Sequence, residues 1–191
     1  MHYRTASEKL LAYRNEIRAV RAKMRALQAT VEPEEVRDYE FASVAGWVRL
    51  SELFGPKRDL FLIHNMGKSC PACTMWADGF NGVYPHLADR GAFVVSSPDP
   101  PAVQKTFAEG RGWRFPMVSH QGTRFAADMG YTSQAGGFMP GISVFRRDGP
   151  RILRVADTRF DQGDDFCPVW HILDLLPEGA AGWGPKVDYG N

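Results

Sequence analysis

The chain has little of what would tie it to a membrane, a secretory route or a polyanion. No apolar run approaches the roughly 20 residues that a bilayer-spanning helix needs. Residues 1–28 carry Lys, Arg and Glu throughout and lack the apolar stretch of a secretory signal, so the expectation is a cytoplasmic protein without membrane contact. Charge of one sign is not in excess: 23 Lys and Arg stand against 22 Asp and Glu, a net +1. No global field is therefore available to recruit nucleic acid. Cysteine is scarce. Three in 191 residues, an odd number, exclude a disulfide-stapled scaffold. In a reducing compartment, two close cysteines read as redox-active or metal-binding rather than as a static staple.

What is present is a chain that is 44% hydrophobic, enough for one sizeable core. Residues 5–28 read as a helix, with Leu10, Tyr13, Ile17, Val20, Met24 and Leu27 spaced three and four apart on one stripe and Ser7 as N-cap. The plainer reading folds that stripe onto the chain's own domain; the other makes it a homodimer contact. Residues 32–40 read as an acidic solvated segment, and residues 39–50 as a hairpin turning near Ala45-Gly46. A buried strand over 59–65 is followed by a helix to about Asp89, and a second buried strand spans 91–97. Residues 102–110 are helical, 115–119 extended, and 123–129 a short helix closed by Gly130. Ile142–Phe145 and Arg151–Ala156 flank Asp148-Gly149 as a hairpin, and 166–176 form a last helix. The succession predicts an α/β fold, a mixed sheet flanked by helices. The divisions read as an N-terminal helical extension (1–38), one domain (39–177) and a tail (178–191).

The chemistry concentrates where the first buried strand hands over to a helix, at Cys70-Pro71-Ala72-Cys73. Pro71 suits a first helical turn, where its missing N–H would have no partner. Cys70 then lies at the helix N-terminus, where free N–H groups and the helix dipole favour a thiolate. Lys68 adds a nearby positive charge. A spacing of three brings both sulfurs onto one helix face. Cys70 should attack and Cys73, one turn deeper, should resolve the mixed disulfide. The reaction needs no cofactor and no metal, and its partners would be protein or small-molecule thiols and disulfides.

The strand–CPAC–helix unit, followed much later by Pro140 entering a strand, resembles the thioredoxin superfamily. The resemblance implies a thioredoxin-like mixed sheet with an extra N-terminal helix and an insertion around Ser97–Trp113. It also implies a cis-proline at Pro140, preceded by Met139, facing the dithiol. Tyr39-Glu-Phe41, Cys70–Asp78, Pro85-His86-Leu87, Gly112-Trp113, Phe115-Pro116 and Leu173-Asp-Leu are similar to an uncharacterised bacterial thioredoxin-like family, some of whose members carry a dithiol–disulfide isomerase label. The sequence departs from ordinary thioredoxin in its Ser-Cys-Pro-Ala-Cys motif. His64 stands where thioredoxin has a buried acid, six residues before the first cysteine.

His64 reads either as a proton relay to Cys73 or, more plainly, as a hydrogen-bonded core residue. Trp76, Phe80 and Trp113 read as packing residues, Asp78 as a solvated or capping side chain, and Cys167 as an inert buried thiol. Two other functions compete with the oxidoreductase. One is a peroxiredoxin-like thiol peroxidase, but the Pro-x-x-x-Thr-x-x-Cys signature is broken in both registers. Counting back from Cys73 meets Cys70 and Met66; from Cys70, Gly67 and Ile63. The other is a binding module, either with idle cysteines or with zinc held by Cys70, Cys73, Cys167 and His171.

Overall fold

The computed structural model describes residues 2–190, and the chain divides into two units after Pro33. The first is α1 (Tyr3–Gln28), with His2 as its N-cap accepting from the Arg4 N–H at 3.4 Å. Ser7 therefore lies inside the helix rather than at its start: the residues before it are already helical. None of the helix's residues is buried, and its apolar stripe is exposed.

The second unit is built on one eight-stranded sheet. Its strands are β1 (Glu34–Val36), β2 (Glu40–Ser43), β3 (Gly46–Arg49), β4 (Asp59–His64), β5 (Ala92–Ser97), β6 (Met117–Ser119), β7 (Gly141–Asp148) and β8 (Arg151–Arg159). The order across the sheet is β1-β8-β7-β4-β5-β6-β2-β3. β5 runs parallel to β4 and β6, and the remaining pairs are antiparallel. The helices are α2 (Pro71–Arg90), α3 (Pro101–Arg111), α4 (Phe125–Asp128) and α5 (Pro168–Leu173). The sheet is mixed because α2 and α3 serve as the crossovers that parallel strands require, whereas β7 and β8 need only a tight turn. β1 was not expected. It pairs with β8, so the sheet begins ahead of the boundary at residue 39, and α5 is shorter than the helix expected over 166–176.

Alternation along β4 and β5 sorts side chains onto two faces. Leu60, Leu62 and Val94 join Phe41, Phe54, Phe125, Tyr131 and Phe145 in one core. Ile63, Phe93 and Val95 meet Trp76, Ala77 and Phe80 of α2, with Trp113, Phe115, Phe160 and Trp170, in the other. Each fully buried aromatic or aliphatic side chain contributes about 1.5–3 kcal/mol, so the two layers together fix the sheet's registers. α2 tolerates Pro85 within it because the carbonyl left free, that of Asn81, accepts from the Arg114 guanidinium at 3.1 Å. No helix of the described residues is long and apolar enough to cross a membrane.

Candidate active site

The turn between β4 and α2 is held by backbone N–H groups that donate to two carbonyls and to the Asn65 and Asp99 side chains. The Asn65 N–H donates to the Ser96 carbonyl at 2.9 Å, and the Asn65 side chain accepts from the Gly67 N–H at 2.8 Å. Asp99 accepts from the Lys68 N–H at 2.7 Å, and the Cys70 N–H closes onto the Gly67 carbonyl at 3.1 Å. Gly67 sits at φ +103°, and a Cβ there would lie 3.1 Å from the Asp99 carboxylate. Only glycine suits that position without strain.

This turn presents Cys70 as the N-cap of α2, with Pro71 in the first helical turn as the sequence predicts. Cys70 Sγ accepts from the Cys73 N–H at 3.1 Å, taking the role that a Ser or Asp oxygen usually plays. A thiolate is the stronger acceptor, so capping the helix favours the ionised sulfur. The Cys70 carbonyl receives both the N–H (3.0 Å) and the hydroxyl (3.0 Å) of Thr74. The pKa of the Cys70 thiol is lowered to about 7, first by hydrogen bonding with the Cys73 side chain, against the penalty of burial, and further by the Cys73 and Ala72 backbone N–H groups. Cys73 is buried and moves the opposite way, raised by its bond to Cys70 and by desolvation. Its sulfur accepts from the Met66 N–H at 3.4 Å. One sulfur is thus half-exposed and easily ionised, and its neighbour is buried and holds its proton.

The other residues singled out by sequence fall into three places. Lys68 is exposed in the turn, and its ammonium forms no ion pair among the described residues. Pro140 precedes Gly141, which pairs with His64, so it stands at the end of the sheet from which the dithiol turn departs. Its peptide bond is trans, since no cis bond occurs among the described residues. This corrects the cis-proline expectation. Trans is the lower-energy isomer, and here Met139 N–H bonds the Tyr131 carbonyl (2.9 Å) while the Pro140 carbonyl receives the Phe160 N–H (3.1 Å). Met139 packs against the first core.

His64 shares a face with Leu60 and Leu62, opposite α2, and is buried. It stacks on Tyr131 (3.7 Å) and Phe125 (5.4 Å), and its Nε2 hydrogen-bonds Ser143 Oγ at 2.9 Å. Burial, His120 and Arg154 hold it well below the usual imidazole value. The structure does not bring it to Cys73; it occupies the core role. Gly141 makes room for this stack, since a Cβ there would lie 2.2 Å from the Tyr131 ring.

Cys167 is buried in the second core just before α5, its thiol pushed up by burial, and His171 faces Asp165 at 3.8 Å. Among the described residues no three His, Cys, Asp or Glu side chains converge on a metal-sized site. The proposed zinc set is therefore not assembled.

Sequence reasoning missed the role of Asp78. It accepts from Trp113 Nε1 at 2.8 Å and from both Nε (2.9 Å) and a terminal nitrogen of Arg111, tying α2 to the end of α3. Arg111 also donates to the Val187 carbonyl at 3.0 Å, which anchors the C-terminal tail. The only hint was an acid on the dithiol helix with no visible partner.

A βαβ unit with a dithiol at the helix start, completed by an antiparallel hairpin, is a thioredoxin-like fold. The chain belongs to the family described as "Bacterial protein of unknown function (DUF899)", whose model matches residues 1–187. Solved structures similar to it include peroxidoxin BcpB from Mycobacterium tuberculosis, at 31% identity over 63% of this chain and 80% of that one, TM-score 0.51. A PrxQ mutant from Xylella fastidiosa matches at 17% identity, TM-score 0.55, over 66% of this chain and 84% of that one. Reduced Prx3 from Vibrio vulnificus matches at 16% identity, TM-score 0.53, over 71% and 93%. No curated protein matches the chain at a significant level.

Proposed function

We propose that the protein is a cytoplasmic thiol–disulfide oxidoreductase of the reductase or isomerase type, working through Cys70 and Cys73. The observation that carries this reading is the Cys73 N–H directed at Cys70 Sγ at 3.1 Å at the start of α2, with Cys73 itself buried behind it. The Cys70 thiolate attacks one sulfur of a disulfide. That S–S bond breaks, and the departing thiolate takes up a proton. Cys73 then gives up its proton and attacks Cys70 Sγ, releasing the second thiol. The substrate gains two electrons, and the pair closes as a disulfide. An external thiol reductant must reopen it. The half-exposed position of Cys70 favours access, and the burial of Cys73 favours its resolving role.

Cys73→Ser tests this directly. It should accumulate mixed disulfides through Cys70 when exposed to a disulfide, and Cys70→Ser should accumulate none. Capture of nothing by Cys73→Ser would reject exchange at this site.

The similarity to peroxiredoxin structures favours a second reading, in which Cys70 attacks a peroxide oxygen and Cys73 condenses with the resulting sulfenic acid, releasing water. The broken signature weighs against it. Peroxide consumption faster than disulfide exchange would reverse the ranking.

The exposed stripe of α1, including Leu10, Tyr13, Ile17 and Leu27, supports a homodimer through that helix, which light scattering on the full chain would test.

A further inference from the structure

A cleft of about 700 Å³ opens beside the dithiol turn, lined by Lys68, by α3 and by Val187 and Asp188 of the tail. Its α3 wall is Ala102, Val103, Thr106, Phe107, Gly110 and Arg111, a spacing that places the residues on one face along the whole helix. An 11-residue helix is roughly 16 Å long, so the cleft is an elongated groove. Its size suits a small molecule better than a flat protein contact.

The groove has two electrically different ends. Lys68 lies near the start of α3, because its N–H is held by Asp99, two residues before Pro101. Its ammonium is unpaired among the described residues and belongs to the turn that closes on Cys70. At the far end the Arg111 guanidinium is already neutralised by Asp78, and Asp188 adds a carboxylate nearby. Between the ends the wall is apolar, with Val103, Phe107 and Val187. At the dithiol end the Asp99 carboxylate is taken up by the Lys68 N–H and the Ser97 hydroxyl and does not line the groove, so the Lys68 ammonium is the charge presented there; a carboxylate is welcome at that end and repelled at the other.

We propose that this groove is the substrate subsite of the dithiol, and that it takes a low-molecular-weight disulfide with an apolar body and a carboxylate close to the sulfur. The inference rests on the exchange reading above and names its substrate class. The carboxylate pairs with Lys68, the apolar body lies along Phe107 and Val103, and the disulfide is left beside Cys70.

Three disulfides test it with the full-length reduced protein: dithiobis(nitrobenzoate), which is aromatic and acidic; dithiobis(nitropyridine), aromatic and neutral; and hydroxyethyl disulfide, small and neutral. Lys68→Glu should lower the rate with the acidic probe relative to the neutral aromatic one by about five- to tenfold. Thr106→Trp, which fills the groove from an exposed helix position, should lower the rates of both aromatic probes about fivefold relative to hydroxyethyl disulfide. Ratios within one variant cancel any loss of folded protein. If the wild type reacts with the probes but neither variant moves a ratio, the groove is not the subsite, and exchange at Cys70 stands. If no probe reacts at Cys70 in the wild type, the exchange reading itself falls and takes the subsite with it.

Discussion

The two faces of the sheet carry titratable groups at the same end of β4, and they treat them in opposite ways. On the α2 face Cys70 sits half-exposed at a helix start, where N–H groups converge on its sulfur and lower its pKa to about 7. On the other face His64 and His120 are buried among Tyr131, Phe125 and Phe138, each bound to one serine: His64 to Ser143 and His120 to Ser96. The remaining ring nitrogens, His64 Nδ1 and His120 Nε2, have no protein partner among the described residues. Both imidazoles are pushed down, His120 to about 4 by burial. A lowered pKa therefore has two meanings in one molecule. At Cys70 the charged form is favoured and accessible; at the histidines the charged form is disfavoured and sealed away. Only the first arrangement suits the proposed reaction.

The largest effect that should separate the two faces is acid lability. An imidazole whose folded value lies below its unfolded one contributes stability that is full above about pH 6.5 and is lost as the pH falls toward the folded value. His120 alone should withdraw about 3 kcal/mol between pH 6.5 and 4, and His64 adds to this in the same direction. Denaturant unfolding of the wild type and of His120→Asn across that range checks the loss. An equal acid sensitivity in both would reject the histidine account. A smaller effect is expected on the α2 face. Asp78→Ala deprives the Trp113 indole and Arg111 of their acceptor and should cost about 1–2 kcal/mol, read as a shift in the urea midpoint. An unchanged midpoint would mean that α2 and α3 are held by packing alone.

The contrast also explains what the sequence could and could not reveal. The dithiol turn was legible because each part is local: β4, the proline, and a spacing of three all lie within fifteen residues. The β7–β8 hairpin was legible for the same reason, since Asp148-Gly149 marks its own turn. The histidine face was not. His64, Ser96, His120, Tyr131 and Ser143 meet only once β4, β5 and β7 are aligned, and no short-range pattern encodes that register. β1 escaped because three residues beginning Glu-Glu carry no apolar alternation and gain their strand conformation by pairing with β8. Asp78 and Trp113 were read singly, and Arg111 was not singled out, because Asp78 lies more than thirty residues from both and is joined to them only by tertiary folding. The N-cap of α1 was misplaced at Ser7 because capping propensity ranks residue types but does not fix where a helix must begin.

The proposed chemistry turns most directly on the ionisation of one sulfur. The alkylation rate of Cys70 with iodoacetamide, followed against pH in the reduced protein and in Cys73→Ala, reads it. The wild type should show an inflection near pH 7, and removing the Cys73 thiol should move it upward, because that hydrogen bond is the largest contribution. An inflection at the ordinary thiol value of about 8.5 in both proteins would contradict the account, and with it a reactive thiolate at the start of α2.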